Sequence, residues 1–330
     1  MDAFNELQQL SSAPRVHFSD MFKMSRMRRR EAKWGLLFIS PWLIGFLLFY
    51  AVPMVVSLVF STLDFTLSSP ENTRYIGFDN WQRMLFEDPN TWKSLGVTLK
   101  FAAVSLPIGM ISAFMLAVLL NTKSLVGKGW FRTMFYAPSL IPGIASILIW
   151  AQVLNANTGW LNRIIEITGY PAVGNNGLRW MDDPNLIYIA YTFIGLWGIG
   201  NAMLINLAGL QNVPTELYEA AEIDGASWFA RLRKISIPMV SPVIFYNLVL
   251  GVVGLLQYFI VPFVLNQGNG YPQGSTTFYA IYFYKQAFNF QNMGYGAALA
   301  WLLFIIALGM TIFLFTTGRY WIYYAGESRS

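Results

Sequence analysis

The sequence predicts an all-α membrane protein with six transmembrane helices and a cytoplasmic helix–turn–helix loop. Three observations lead there. The chain is 55% hydrophobic and only 12% charged, where a soluble protein of ordinary composition carries about a quarter charged residues. Apolar runs recur, each long enough for a hydrocarbon core of about 30 Å. Between two of them stands a charged, helix-forming island, Glu219-Ala220-Ala221-Glu222-Ile223-Asp224-Gly225, which must project from the membrane.

The spans fall at 34–60, 95–120, 134–154, 186–207, 239–264 and 294–315. Lys and Arg favour the cytoplasmic side of short loops. The two tails, the second-to-third link and the fourth-to-fifth link hold 15 of them, including the run Arg26, Arg28, Arg29 and Arg30. The other side holds 6, which are Arg74, Arg83, Lys93, Arg163, Arg179 and Lys285. Both termini and the island are therefore expected on the cytoplasmic side of the membrane. The expected organisation is a mobile basic tail at 1–33, then the first span and its outer loop at 34–94. A five-helix transmembrane domain follows at 95–316, with the island inside a loop at 208–238, and a short cytoplasmic tail at 317–330.

The first span is too long for the core of a signal peptide and no small-residue cleavage site follows it, so it should remain as an anchor. The net charge of +5 would suggest nucleic acid, but the charges sit at helix ends and in the N-terminal tail, as membrane topology demands. Anionic lipid could also meet the Arg26–Arg30 run, though fixing topology explains it fully. The outer loops carry turn signals: Pro70 and Gly77, then Gly174-Asn175-Asn176-Gly177, then Gly268-Asn269-Gly270-Tyr271-Pro272. Short helices at the membrane surface are expected between these turns, and the aromatic stretch 278–290 reads as an interfacial anchor belt.

The island should fold as two short helices. Thr215 suits an N-cap, and Glu216 is well placed against the helix dipole. Leu217, Ala220 and Ala221 share a face, and the two alanines keep it shallow enough for a partner to approach. Asp224-Gly225 makes the turn, since glycine accepts the backbone angles of a sharp reversal. Ser227 can cap a second helix running through Lys234, which Pro238 should end for want of an amide hydrogen.

The chain carries no sign of its own energy source. It lacks the G-x-x-x-x-G-K-[ST] loop that cradles ATP phosphates, and no predicted span contains an Asp or Glu to relay protons. With no cysteine and a single histidine, His17, it offers neither thiolate chemistry nor a clustered metal site. A membrane-embedded enzyme is disfavoured for the same reasons. Lys100 is the only charge inside a span. It is expected to snorkel to the headgroups, with a role toward solute or gating as the lesser alternative.

Glu219-Ala220-Ala221, then Gly225, then Ile235-Ser236-Ile237-Pro238 resembles the E-A-A, G, I-x-L-P loop of the permease subunits of type I ABC importers. Only Ile237 departs, where the family usually has Leu. Other stretches follow the family in order: Ser40-Pro41-Trp42, Ile76-Gly77-Phe78-Asp79-Asn80-Trp81, Arg132-Thr133 with Pro138, and Leu207-Ala208-Gly209-Leu210-Gln211 before Pro214. They are similar to carbohydrate-type members, and the first span suits the larger maltose-transporter permease. At Gly268–Pro272 the chain departs from the G-G-P the family often carries there.

The resemblance implies the type I permease fold and a set of partners. These are a second permease, two ATP-binding subunits that hold ATP and Mg, and an extracytoplasmic solute-binding protein. It implies that Glu219, Ala220, Ala221, Asp224 and Gly225 contact the ATPase, while Ile235 and Pro238 fix the exit into the fifth span. The chain itself would hold no cofactor. A sugar or oligosaccharide is the expected solute; a polyol, glycerol phosphate or polyamine is the alternative.

A sugar path needs hydrogen-bonding groups and aromatic faces. Polar residues inside the fourth and fifth spans are few: Asn201, Asn206, Asn247 and Gln257. Trp197 and Asn201, four residues apart on one helical face, and the neighbours Gln257 and Tyr258 are the candidates. Hydrogen bonding between helices is the competing explanation for such amides.

Overall fold

Prolines and glycines decide where the apolar segments stay straight and where they break. The structure, a computed structural model, describes residues 26–122, 124–173 and 177–323. The expectations for the tail before Arg26, for Lys123, for Gly174-Asn175-Asn176 and for 324–330 lie outside those residues. The chain divides into two units, Met1–Val59 and Phe60–Ser330.

In the first unit, α1 (Arg26–Phe46) passes through a π turn at Leu47–Ala51 into α2 (Val52–Phe60). The helix begins eight residues before the expected start at Trp34, correcting the reading of 26–33 as mobile tail. Arg, Glu, Ala and Lys are strong helix formers, so the basic run joins the span.

The second unit opens with a two-stranded hairpin, β1 (Leu63–Asp64) against β2 (Arg74–Tyr75), with Leu63 opposite Tyr75. After α3 (Asp79–Gln82) and a π turn at Arg83–Glu87 comes α4 (Pro89–Asn121). Asp88 caps α4 by accepting the Asn90 amide at 3.0 Å, and Pro89 occupies the first turn, where no amide is needed. The π turns at Leu47–Ala51, Arg83–Glu87 and Leu232–Ser236 each end two residues before a proline: Pro53, Pro89 and Pro238. A proline cannot donate to the carbonyl four residues back, and a wider turn just ahead of it changes the local pairing.

Among the described residues, four helical stretches are long and apolar enough to cross a membrane: Arg29–Phe60, Pro89–Asn121, Trp228–Asn266 and Met293–Trp321. The third and fourth expected spans are not straight. The third is α5 (Lys128–Tyr136), a 3-10 turn at Ala137–Leu140 and α6 (Gly143–Val153), bent by 101°. Pro142 forces Ile141 into extended backbone at φ −73°, ψ 134°. A surface helix, α7 (Trp160–Ile167), follows. The fourth is α8 (Ile187–Trp197) and α9 (Gly200–Gln211), bent by 59° at Gly198-Ile199. The two breaks meet, because a Cβ on Gly200 would fall 2.7 Å from the Phe135 carbonyl.

The island forms α10 (Thr215–Ile223) and α11 (Trp228–Arg231). The fifth span, α12 (Ile237–Leu256), follows the third π turn, and α13 (Ile260–Asn266) extends it. Pro238 does not end the second helix of the island, as expected, but sits in the first turn of α12. The chain then turns through α14 (Tyr279–Tyr284) into α15 (Met293–Trp321).

Three apolar clusters hold this unit together. Ala117, Leu120, Met203, Leu207 and Val240 pack at the island end, where the small Ala117 lets α4 and α9 approach closely. Phe101, Tyr191, Ile187 and Phe278 form a second cluster, and Leu95, Tyr279, Tyr295 and Leu299 a third, both toward the other end of α4. Phe278, Tyr279 and Ile281 are fully buried, so the 278–290 stretch is not simply an interfacial belt. The Tyr279 amide donates to the Thr98 hydroxyl at 2.9 Å and its hydroxyl to the Leu299 carbonyl at 2.9 Å. Of its aromatic residues, only Phe288 and Phe290, further along, are exposed.

Candidate functional site

Helix α10 ends in two backbone bonds that fix the turn. The Ala226 amide donates to the Ala221 carbonyl at 2.8 Å, and the Gly225 amide to the Glu222 carbonyl at 3.0 Å. This pairing needs a left-handed residue just past the helix, and Gly225 has φ +71°. Ser227 caps α11 as expected, accepting the Ala230 amide at 3.3 Å. Thr215 is not a cap; it is the first helical residue, preceded by Pro214.

Glu219, Ala220, Asp224 and Gly225 are exposed, whereas Ala221, Ile235 and Pro238 are half-buried. Around the turn stand Ile223, Trp228 and Phe229, 87%, 54% and 63% exposed. Sequence reasoning overlooked these three, and they make the loop surface apolar as well as acidic. Two contacts, also unforeseen, brace the loop. Arg231 pairs with Glu222 at 3.2 Å, joining α11 to α10. The Tyr218 and Ser236 hydroxyls meet at 3.0 Å.

In the membrane region a cavity of about 780 Å³ lies between α4, the α8–α9 pair and α12. Its lining is largely apolar, with three amides, Asn201, Asn206 and Asn247. The Asn206 side-chain NH₂ donates to the Ala202 carbonyl at 2.9 Å, but its oxygen and the Asn247 nitrogen are buried without a partner. Buried polar groups usually find a partner, and both amides stand on the cavity wall.

Of the four residues expected along a solute path, Asn201 alone lines this cavity. Trp197 no longer shares a helical face with it, because the helix breaks at Gly198; its ring stands edge-on to Trp150 at 5.6 Å. Gln257 borders a separate cavity with Phe259, Phe283 and Tyr284. Tyr258 packs against Phe101, with centroids 4.6 Å apart, and against Phe278 at 5.1 Å, its hydroxyl sealed from solvent. Asn206 and Asn247 were visible in the sequence as polar residues in apolar spans, but their place on one cavity wall follows from the packing of α9 beside α12.

At the other end of the unit, one carboxylate gathers three elements. Asp88 Oδ2 accepts hydrogen bonds from Tyr282 and from Tyr295, the latter at 2.5 Å. Gln286 donates to the Tyr282 hydroxyl at 3.1 Å, and the Arg83 guanidinium lies 4.4 Å from the Tyr295 ring centroid. Burial pushes the Asp88 pKa up. The two tyrosine hydroxyls, the Asn90 amide and the Arg83 charge together outweigh it, leaving the carboxyl below its usual value. Burial and then the Asp88 bond raise the Tyr282 pKa.

Broken apolar helices around an amide-bearing cavity, with a braced loop at one end of the bundle, define a membrane transport subunit. The chain belongs to the family of binding-protein-dependent transport system inner membrane components, whose profile matches residues 105–325. It is 34% identical over 309 residues to the probable ABC transporter permease protein YesP of Bacillus subtilis (strain 168), across 94% of this chain and 98% of that one. It is 33% identical over 300 residues to the trehalose/maltose transport system permease protein MalF of Thermococcus litoralis, across 90% and 97%. Its fold is shared with a crystal structure of a bacterial ABC transporter that imports the acidic polysaccharide alginate. There the TM-score is 0.72 at 22% identity, covering 89% of this chain and 99% of that one.

Proposed function

We propose that this chain is the permease subunit of an ATP-driven importer for a sugar or oligosaccharide. Each bent pair counts as one span, giving six, and both termini and the 215–231 loop face the cytoplasm. A second permease, two ATPase subunits that bind ATP and Mg, and an extracytoplasmic binding protein complete the assembly. The sugar assignment takes its support from the Thermococcus relative, named for trehalose and maltose, and from an apolar cavity with neutral amides, suited to pyranose faces and hydroxyls.

One observation carries the mechanism: a helical stretch unbroken from Trp228 to Leu256 starts in the loop and carries Asn247 on the cavity wall. Closure of the ATPase dimer moves α10, the brace at Tyr218 passes that motion to the start of α12, and the cavity wall follows. Glu219, Ala220, Ala221, Asp224 and Gly225 form the ATPase contact, and Ile235 and Pro238 set the angle at which the span leaves it.

The test is uptake by the reconstituted importer with Asn201→Ala or Asn247→Ala. Either should raise the apparent KM for solute about tenfold, the effect of one or two lost hydrogen bonds, while the ATPase subunits still co-purify. Unchanged kinetics in both would return the amides to a structural role within the bundle.

A further inference from the structure

One cation stands unpaired at the edge of the membrane region. Lys100 is the only Asp, Glu, Lys or Arg in the six expected spans. Its side chain is exposed on α4, and the ion pairs among the described residues, Arg179–Asp182 and Arg231–Glu222, do not involve it. A lone charge at membrane depth is costly and usually marks a solute or ion pathway.

Its direction on the helix says which pathway. At 100° per residue, Pro107 and Ile111 project within about 20° of Lys100, and both line the cavity that holds Asn201, Asn206 and Asn247. At 1.5 Å per residue, Lys100 stands about 10 Å beyond Pro107, toward the Asp88 end of α4. The helix is about 50 Å long against a core of about 30 Å. With Asn121 at the cytoplasmic boundary, Lys100 therefore lies near the outer end of the span, beyond Ser105, where the cavity lining on this helix begins. No acidic residue is among those lining the cavity below. A cation at that end over neutral amides complements a solute that carries both an anionic group and uncharged hydroxyls.

We propose that Lys100 is a specificity residue at the outer mouth of the cavity and that the solute is an acidic oligosaccharide, its carboxylate held by Lys100 while its rings enter the amide-lined cavity. The inference rests on the cavity being the solute path. A lipid phosphate offers the same anionic chemistry from the bilayer side, so the experiment separates the two sources.

The permease pair with its ATPase subunits is placed in phosphatidylcholine nanodiscs, and binding of trigalacturonate and of uncharged galactotriose is measured. In the unaltered complex trigalacturonate should bind about tenfold tighter, the size of one charge-assisted hydrogen bond. The ratio should fall to about one in Lys100→Gln, persist in Lys100→Arg, and collapse in about 1 M salt, where the screening length is about 3 Å. A ratio of one in the unaltered complex overturns the proposal. So does a ratio that Lys100→Gln leaves in place while changing retention of phosphatidylglycerol in mixed-lipid discs, which would assign the lysine to headgroups. If Asn201→Ala and Asn247→Ala weaken galactotriose in either case, the path itself stands. If they leave both probes untouched, the path falls and this inference with it.

Discussion

The hydroxyl of Tyr218 lies 3.0 Å from that of Ser236, linking the first helix of the loop to the last residue before the fifth span. Ser236 is buried, so removing the Tyr218 hydroxyl strands a polar group as well as cutting the link. The cost is about 1 kcal/mol. Under the proposed mechanism, Tyr218→Phe should leave the ATPase subunits bound but lower uptake several-fold, and Ser236→Ala should do the same. Uptake by the two single variants and the double one forms a mutant cycle. If the two losses simply add, the hydroxyls do not work as a pair.

The turn itself is the second point of failure. Gly225 sits at φ +71° with open space around it, so Ala there meets backbone strain rather than a clash, about 1 kcal/mol. Pro is worse, because its ring fixes φ near −65° and the Gly225 amide is already bonded to Glu222. Gly225→Pro and Glu219→Lys should each leave the subunit in the membrane yet abolish uptake, by releasing the ATPase or by uncoupling hydrolysis from transport. Gly225→Ala should fall between. Pull-down and uptake are measured side by side, and normal uptake in the Pro and Lys variants would reduce the loop to a connector.

The loop was the most legible part of the chain. Its turn glycine, its Ser227 cap and its continuity with the fifth span all follow from local chemistry that sequence displays directly. The breaks in the third and fourth spans were less so. Pro138 and Pro142 announce a possible bend, but membrane helices often keep a proline when neighbours satisfy the freed carbonyl. What the sequence could not supply is that the Gly198 break lies against Phe135 and Tyr136. Counting Trp197 and Asn201 as one face likewise assumed an unbroken helix. Tyr258 reads locally like a pore aromatic. Only the return of 278–282 into the core, more than 170 residues from Phe101 along the chain but adjacent in space, encloses it.

Orientation can be tested on the natural background, because the chain has no cysteine to remove. Single cysteines at Asp224 and Thr158, both exposed, should react from opposite sides of intact cells. An impermeant maleimide should label Thr158→Cys at once and Asp224→Cys only after the cells are opened. Labelling of both before opening would sink the six-span arrangement, in which the bent pair Ile187–Trp197 and Gly200–Gln211 makes the single crossing between them.

Asp88 ties α4 to α14 and α15 through the Tyr282 and Tyr295 hydroxyls. Asp88→Asn keeps an oxygen acceptor but loses the charge that strengthens both bonds, so the thermal midpoint of the purified protein should fall and protease should cut the 267–292 segment sooner. The pH dependence follows from the direction of the shift. The folded carboxyl titrates below its usual value, so its stabilising contribution is complete above the unfolded value, about 3.9. It disappears as pH drops through the lower folded value. The gap between the natural protein and Asp88→Asn should accordingly stay constant from about pH 7 to pH 5 and close only below about pH 4. A gap that closes between pH 7 and 5 would mean the carboxyl is not the group that holds the two tyrosines.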